Sequence, residues 1–288
     1  MSAPKATIIK DDPIVEVIGY MQLDHEGVMN MAKWVEKYRP NCLPEGGFND
    51  VLDLMPHDGF DIGLNGEERA VTDNELLCEI AGRKCYDSFA DAGAKRTNGE
   101  YLRSMWQGRV PHRSTGYHAK ISFFFAHISR RVSHELIRNY VGSDRDEEGS
   151  PSQESTRFTH HPGVYIAHPY CLDKPEELLR FERSVQLNYE EYVDTIQRKV
   201  ALFEAANGKK PVGLDKKRIY ESTAGDLHMS CGTSFIWTTN SMALTKFFHE
   251  RDDEAADMEM CRFARAVKRV CLQRWPNLFP DFVPARSA

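Results

Sequence analysis

The residues of this sequence that could do chemistry are mainly arginines. Arg130, Arg131 and Arg138 lie close together, Arg157 follows an acidic segment, and Arg251 lies near a predicted helix boundary. A guanidinium stays charged at working pH, and its forked donors can bind a phosphate or the oxygens of a pyrimidine at two points. Structural salt bridges are an equally good explanation for such residues. The residue types alone therefore leave an anion site and a set of ion pairs both open.

Other motifs that signal catalysis or cofactor binding are missing. The sequence contains no G-x-G-x-x-G, no G-x-x-x-x-G-K-[ST], no H-E-x-x-H and no C-x-x-C. Its seven cysteines fall in no recognisable motif, which favours reduced, mostly buried thiols over a nucleophile or a disulfide framework. We therefore expect no metal, no P-loop and no Rossmann-type dinucleotide site.

The composition is that of a water-soluble globular protein. Charged residues make up 28% of the 288 residues, and there is no apolar run of about 18 residues that could span a membrane. The formal net charge of -6 disfavours a surface that attracts nucleic acid, although a local basic pocket is compatible with it. The first residues lack the apolar segment of a secretory signal peptide. We therefore expect a cytoplasmic protein without membrane or nucleic-acid partners.

The strongest predicted element is a helix over residues 118 to 141. Apolar residues recur there at intervals of three and four, which predicts a buried face made of Ile121, Phe125, Ile128, Val132 and Leu136. The same winding places a second set of side chains on another face, namely His127, Arg131, His134 and Arg138. That face is predicted to be either the solvated side of an amphipathic helix or the lining of an anion site.

The remaining patterns predict strands and helices on both sides of that segment. They predict a strand over residues 14 to 19, a capped helix over 72 to 85, a long helix over 173 to 206, a strand over 235 to 239 that leads into a helix through 251, and a last helix from the acidic 252 to 254. Residues 152 to 158, if extended, would place Ser155 and Arg157 on one face. We expect a single domain over residues 1 to 288, with insertions at 41 to 66 and 144 to 151.

The segment that contains the clustered arginines resembles the signature of the flavin-dependent thymidylate synthases. Residues 129 to 138 are similar to the family's S-R-x-x-S-H-x-L-x-R. Residues 152 to 158 are similar to S-Q-x-S-x-R-Y, which ends that signature. The order of the two motifs is that of the family.

Flanking segments extend the resemblance to roughly residues 81 to 282. Residues 81 to 86 resemble the family's A-A-R-x-S/C-Y, and residues 112 to 118 resemble its H-x-S-x-x-E-H. Residues 237 to 251 and 276 to 279 are similar to parts of its carboxy-terminal third.

This resemblance implies an α/β (α+β) fold of the thymidylate synthase-complementing-protein type, with a sheet packed against long helices. It also implies a homotetramer that binds FAD at subunit interfaces. The implied reaction is a reductive one-carbon transfer from methylenetetrahydrofolate to C5 of a pyrimidine nucleotide, with dUMP as the default substrate and NAD(P)H reducing the flavin. The implied enzyme is thus an FAD-dependent methyltransferase.

Matched positions give candidate residues for each ligand. For the nucleotide they are Arg138, Gln153, Ser155, Arg157 and Arg251. For FAD they are Cys85, Ser114, Arg138, Asn240 and Lys246. Arg251 is the candidate catalytic residue, because a fixed cation can stabilise negative charge that develops on the uracil carbonyl. Asn240 has an alternative role as a helix N-cap, for which asparagine is among the preferred residues.

The sequence departs from the family pattern at several positions. Arg138-Asn139-Tyr140 stands where the family has R-H-R, and extra residues precede the second motif. Ala224 stands where the family has an arginine before L-P, and Lys246 stands where histidine or asparagine is usual. Two alternatives to dUMP methylation therefore stay open. One is FAD-dependent modification of a different pyrimidine nucleotide or nucleoside, and the other is a catalytically silent homologue that binds flavin or nucleotide.

Overall fold

The computed structural model describes residues 4–42, 60–62, 68–89, 96–140 and 150–283. Most of the predicted insertion at 41 to 66, and all but the end of the insertion at 144 to 151, lie outside these ranges. Within the first insertion, a short strand at Phe60–Ile62 stands where the composition predicted only loop.

Strands and helices are mixed along the described parts of the chain. The strands are β1 (Thr7–Ile9), β2 (Ile14–Tyr20), β3 (Phe60–Ile62), β4 (Glu68–Ala70), β5 (Lys120–Ser129), β6 (Ser150–Gln153), β7 (Val164–Ile166) and β8 (Gly232–Asn240). The helices are α1 (His25–Tyr38), α2 (Asp73–Tyr86), α3 (Asn98–Gln107), α4 (Arg130–Tyr140), α5 (Pro169–Leu172), α6 (Pro175–Asn207), α7 (Gly213–Glu221), α8 (Ser241–Arg251) and α9 (Met258–Arg274). Short 3-10 helices include Arg113–His118 and Ala224–Asp226.

Four antiparallel strands form the central sheet, in the order β2-β5-β8-β6. Along β5, Ile121, Phe123 and Phe125 alternate and are fully buried, which gives the sheet one apolar face. Helices α3, α4, α8 and α9 pack on the same hydrophobic core. The core residues that they contribute include Leu102, Leu136, Phe247 and Phe263. This architecture is the α/β fold that the sequence predicted.

The helix predicted over residues 118 to 141 is wrong over its first half. Lys120–Ser129 form strand β5, and only Arg130–Tyr140 form helix α4. The prediction failed because strand β5 contains a β-bulge between Phe125 and Ile128. At the bulge, His127 has a left-handed backbone with a φ of 58°. The extra residue shifts the alternation of buried positions, so the strand runs into the helix at a spacing that imitates one continuous helix.

The predicted polar face therefore does not exist as a single stripe. His127 lies on the bulged strand, and Arg131, His134 and Arg138 remain together on α4.

The other predicted elements are confirmed, with small shifts at their ends. Helix α2 begins with a capping box between Thr72 and Glu75, and α6 ends at Gly208, which has a φ of 68°. The last helix begins at Met258 rather than at 252, because Asp257 is its N-cap and accepts hydrogen bonds from the first backbone N–H groups. Within the described ranges, no helix combines the length and apolarity needed to cross a membrane.

Candidate active site

A buried network fixes the point at which α4 leaves the sheet. The Glu259 carboxylate on α9 accepts hydrogen bonds from the backbone N–H and the hydroxyl of Ser129, at 2.8 and 2.9 Å, and from Nη2 of Arg131 at 2.6 Å. Ser129 and Glu259 are both buried. Because three donors satisfy the carboxylate, its burial is tolerated. The network therefore sets the direction of the helix that carries Arg138.

Arg130 and Arg131 are explained by structural contacts rather than by an anion site. Arg131 contacts Glu259 and, at 3.5 Å, Asp257. Arg130 donates from Nη2 to the backbone carbonyl of Glu154 at 2.7 Å. Of the two explanations that the sequence left open, salt bridges and hydrogen bonds within the protein therefore account for these two arginines.

Arg251 lies at the end of α8 and contacts α4. Its Nη1 is 3.3 Å from Oε1 of Glu135, and the two side chains are 22% and 29% exposed. Asp252, the acidic residue that follows Arg251, pairs with other cations. Its carboxylate binds Nε of Arg265 at 2.6 Å and the ammonium of Lys268. Sequence reasoning gave Glu135 no role, and its position inside the arginine-rich motif is the signal that could have found it.

The electrostatics of Asp252 hold the end of α8 in place. Burial acts to raise the pKa of this carboxyl group, but the hydrogen bonds from Lys268 and Arg265 outweigh it, and the pKa is lowered. Asp252 is therefore ionised at neutral pH and anchors the residue next to Arg251 to α9.

Gln153 also contacts α4. Its side-chain amide donates to the hydroxyl of Ser133 at 2.7 Å and to that of Thr233 at 3.1 Å. These contacts join the end of β6 to α4 and β8. Gln153, Arg138 and Arg251 are thus gathered around one helix, with the Arg138 side chain exposed near its end.

Ser155 and Arg157 lie in a turn, and not in the extended segment that the sequence analysis considered. The segment turns at this point, because the backbone N–H groups of Phe158 and Thr159 donate to the carbonyl of Ser155 at 3.1 and 3.0 Å. The extended arrangement, with both side chains on one face, is therefore wrong. Arg157 is exposed, and its guanidinium lies 5.7 Å from the centre of the Phe158 ring.

The FAD candidates other than Arg138 lie on three neighbouring elements. Cys85, in the last turn of α2, and Ser114, in the 3-10 helix Arg113–His118, are both exposed. The two elements meet where the Tyr86 hydroxyl lies 2.6 Å from Nδ1 of His112. Helix α8 joins them through Ser241, whose hydroxyl donates to the carbonyl of Gly116 at 2.9 Å.

The donor groups of the FAD candidates fit FAD. An exposed hydroxyl at Ser114 and exposed cations at Lys246 and Arg138 are groups that bind phosphate oxygens and flavin carbonyl oxygens. Lys246 lies 4.0 Å from Glu250 on the solvent side of α8. Within the described residues, no three metal-ligating side chains come together.

Asn240 is the N-cap of α8. It is almost fully buried, and its Oδ1 accepts hydrogen bonds from the backbone N–H groups of Met242 and Ala243, at 3.0 and 2.9 Å. The capping alternative is therefore confirmed, and contact with FAD stays a prediction.

Substitution of Asn240 separates these two roles. Asn240→Ala should lower the free energy of unfolding by about 1 to 2 kcal/mol, because two N–H groups at the start of α8 lose their acceptor. Asn240→Asp keeps an accepting oxygen and should lose much less. Urea denaturation measures the first effect, and the flavin absorbance of the purified variants measures FAD retention. Equal stability of Asn240→Ala and the unaltered protein would contradict the capping role.

A cavity of about 560 Å³ lies along α9 and away from these groups. Its lining includes Met258, Arg262, Arg265 and Arg269. None of the candidate site residues lines it.

Comparison with known proteins identifies the family. Residues 69–277 match the family described as thymidylate synthase complementing protein. A flavin-dependent thymidylate synthase from Mycolicibacterium vanbaalenii is 31% identical over 209 residues, which cover 72% of this chain and 78% of that protein. A protein of the same name from Corynebacterium aurimucosum is 30% identical over 221 residues, which cover 75% of this chain and 82% of that protein.

A solved structure shares the fold. It is the UMP/dUMP methylase PolB from Streptomyces cacaoi, bound with 5-Br UMP, which superposes with a TM-score of 0.55 at 15% identity. The match covers 98% of this chain and all of that one. The family match over residues 69–277 and the identity to the curated relatives show that the chain belongs to the thymidylate synthase complementing protein family, the family of the flavin-dependent thymidylate synthases.

Proposed function

We propose that this chain is an FAD-dependent methyltransferase that acts on C5 of a pyrimidine nucleotide, with dUMP as the default substrate. Methylenetetrahydrofolate is the one-carbon donor, and NAD(P)H reduces the flavin. The observation that carries the proposal is the placement of Arg251, a largely shielded guanidinium that Glu135 holds against α4. Its position in the sequence matches the arginine that the family places against the pyrimidine.

Arg251 acts on the pyrimidine ring in this mechanism. When C5 attacks the one-carbon unit, negative charge develops on a uracil carbonyl oxygen. A cation that is shielded from water stabilises that charge more strongly than one in bulk solvent. Glu135 orients the guanidinium, and the anchoring of Asp252 fixes the helix end that carries it. FAD, when bound, supplies the hydride chemistry of the reaction.

The other candidates bind and orient the ligands. Gln153, which contacts α4, and Arg138, which lies on it, bind the nucleotide together with Ser155 and Arg157. The FAD contacts come from Cys85, Ser114, Arg138, Asn240 and Lys246. No protein nucleophile is required, since a fixed cation and reduced flavin are sufficient for the proposed chemistry.

The distribution of these residues supports a homotetramer. The nucleotide candidates form two groups, one around α4 and one in the turn at Ser155, and the FAD candidates lie on α2, α4, α8 and Arg113–His118. A site made of such separate groups can be completed by neighbouring subunits. Residues 1 to 288 would form one domain of each subunit in a cytoplasmic enzyme. Light scattering at micromolar concentration should give a tetramer, and a monomer that retains FAD would contradict this assembly.

A second candidate function is the modification of a different pyrimidine. Ala224 favours it, because the arginine that the family has at this position is missing and the contacts to the nucleotide must differ. The silent homologue is disfavoured by the retention of Arg138, Ser155, Arg157 and Arg251.

Genetic complementation tests the proposed function. Expression of this chain should rescue a thymidine-requiring bacterial strain that lacks its own synthase. Failure of rescue by a folded protein with bound FAD would favour the second candidate, which a screen of pyrimidine nucleotides for changes in the flavin spectrum would then identify. Absence of flavin absorbance after incubation of the folded protein with excess FAD would contradict both.

A further inference from the structure

The α9 cavity, which is the cavity of about 560 Å³ along helix α9, lies beside the segment that follows Arg251. Its lining includes Asp253, Glu254 and Ala256, which come soon after the end of α8. Its volume falls within the range of roughly 300 to 1,000 Å³ that is usual for ligand pockets. The cavity therefore has room for a ligand that the nucleotide and FAD candidates do not contact.

Three arginines of α9 form one side of the α9 cavity. Arg262, Arg265 and Arg269 recur at intervals of three and four residues, so they share one face of the helix. Arg262 is held in place, since its Nε donates to the carboxylate of Asp12 at 2.6 Å. Arg269 is exposed and, within the described ranges, has no hydrogen bond or ion pair. Its guanidinium is therefore available to an anionic ligand.

Arg265 connects the α9 cavity to the proposed catalytic residue. Its Nε donates to the carboxylate of Asp252 at 2.6 Å, and Asp252 directly follows Arg251 in the chain. The side chain of Arg265 is 56% exposed, and this bond uses only one of its nitrogens, so the terminal nitrogens can also donate to a ligand. A ligand bound by Arg265 would thus lie next to the segment that carries Arg251.

The acidic residues of the α9 cavity compete little for these arginines. Asp12 is paired with Arg262, and a carboxylate oxygen of Asp253 accepts a hydrogen bond from the backbone N–H of Ala255 at 2.8 Å. Glu254 is exposed, so its charge is screened by the solvent. The positive charge of Arg265 and Arg269 can therefore act on a bound anion.

The rest of the lining is largely apolar. It includes Pro169, Met258 and Ala266. A guanidinium binds a phosphate at two points and also stacks on planar rings, whereas apolar side chains pack against the faces of such rings. The chemistry of the α9 cavity thus suits a ligand that combines a planar ring with a phosphate.

We propose that the α9 cavity binds the adenosine end of NADPH, and that Arg265 and Arg269 contact its 2′-phosphate. This inference rests on the proposed function, because it concerns the reductant of the flavin. Arginine is the residue that commonly accommodates the 2′-phosphate where proteins distinguish NADP from NAD. The two arginines therefore give this chain a preference for NADPH over NADH.

The experiment compares NADPH and NADH, which differ only in the 2′-phosphate. Reduction of the bound FAD without oxygen is followed by the loss of flavin absorbance. Arg269→Gln should raise the NADPH concentration for half-maximal rate by about five- to tenfold, as expected for the loss of one charge-assisted hydrogen bond, and leave the NADH dependence unchanged. The control is Arg274→Gln, which removes the same charge from the last turn of α9, where Arg274 lies over the Trp275 ring. It should change neither dependence.

A second variant tests the cavity itself. Ala266→Phe adds a large side chain to the lining and should abolish binding of adenosine 2′,5′-bisphosphate to the FAD-loaded protein, as measured by calorimetry. Binding of dUMP, followed by the flavin spectrum, should be unchanged. Undiminished binding of adenosine 2′,5′-bisphosphate by folded Ala266→Phe would place the ligand elsewhere and overturn the inference.

The remaining outcomes separate this inference from the proposed function. Equal NADPH dependence of Arg269→Gln and Arg274→Gln would overturn the inference and leave the proposed function intact. A changed oligomeric state of Arg269→Gln in light scattering, with an unaltered NADPH dependence, would also overturn it and make the α9 cavity a contact between subunits. If neither NADPH nor NADH reduces the FAD of the unaltered, folded protein, the reductant in the proposed function is wrong, and the inference is wrong with it.

Discussion

Arg251→Ala should lower turnover by roughly two to three orders of magnitude, which is the typical loss when one preorganised donor to a developing oxyanion is removed. Fold and FAD content should be unchanged, because Arg251 lies at the end of α8 and outside the hydrophobic core. Steady-state kinetics on whichever pyrimidine nucleotide proves active measure the rate, and the flavin absorbance measures FAD content.

Two further variants show whether the guanidinium itself is required. Arg251→Lys should keep only part of the activity, since a compact ammonium cannot address two acceptors in one plane. Arg180→Ala is the control, because Arg180 is an exposed arginine that pairs with Glu177 on α6 and has no place in the mechanism. Near-normal turnover by Arg251→Ala would reject the catalytic assignment and leave Arg138 and Arg157 as the remaining candidates.

The largest expected effect on stability is in α2, the helix that carries Cys85. Glu79 and Arg83 are fully buried and form an ion pair in which Nε and Nη2 of Arg83 lie 2.9 and 2.8 Å from Oε1 of Glu79. Asn98 donates to the other carboxylate oxygen at 2.7 Å. Glu79→Ala leaves the Arg83 charge buried beside a cavity, so it should lower the free energy of unfolding by about 3 to 5 kcal/mol.

A surface pair on the same helix provides the control for this prediction. Lys84 and Asp87 form an ion pair whose side chains are 38% and 31% exposed. Lys84→Ala should therefore change stability little, since water screens exposed pairs. Urea denaturation of both variants decides the question. Equal unfolding midpoints for Glu79→Ala and Lys84→Ala would show that the buried pair contributes no more than the exposed one.

The fold was predictable where local signals and tertiary packing agree. Helix α2 has its capping box in the sequence, and α6 has proline at its first turn and glycine at its end, so both were predicted almost to the residue. Strand β5 was misread because the bulge at His127 joins a two-residue period to a helical one. Residues 121 to 125 are rich in isoleucine and phenylalanine, which favour strands, and this composition was the local signal against a continuous helix.

In the candidate site too, residue types could be read from the sequence, whereas contacts between distant residues could not. Motif positions gave Arg138, Gln153, Ser155, Arg157 and Arg251 as candidates, because residue types in a motif are visible in a sequence, and their roles stay predictions. The partners of these residues were not predictable. Glu135 meets Arg251 only because the fold brings the end of α8 next to α4. Such contacts depend on tertiary structure.

The most direct test of the central claim is the product formed by the purified protein. The folded protein is incubated with FAD, dUMP, NADPH and methylenetetrahydrofolate that carries an isotope in its transferred carbon, and the nucleotide is analysed by mass spectrometry. We expect thymidylate that contains the labelled carbon at C5, and far less labelled product from Arg251→Ala over the same time. Recovery of unmethylated dUMP from folded, FAD-loaded protein that accepts electrons from NADPH would contradict dUMP methylation by this chain.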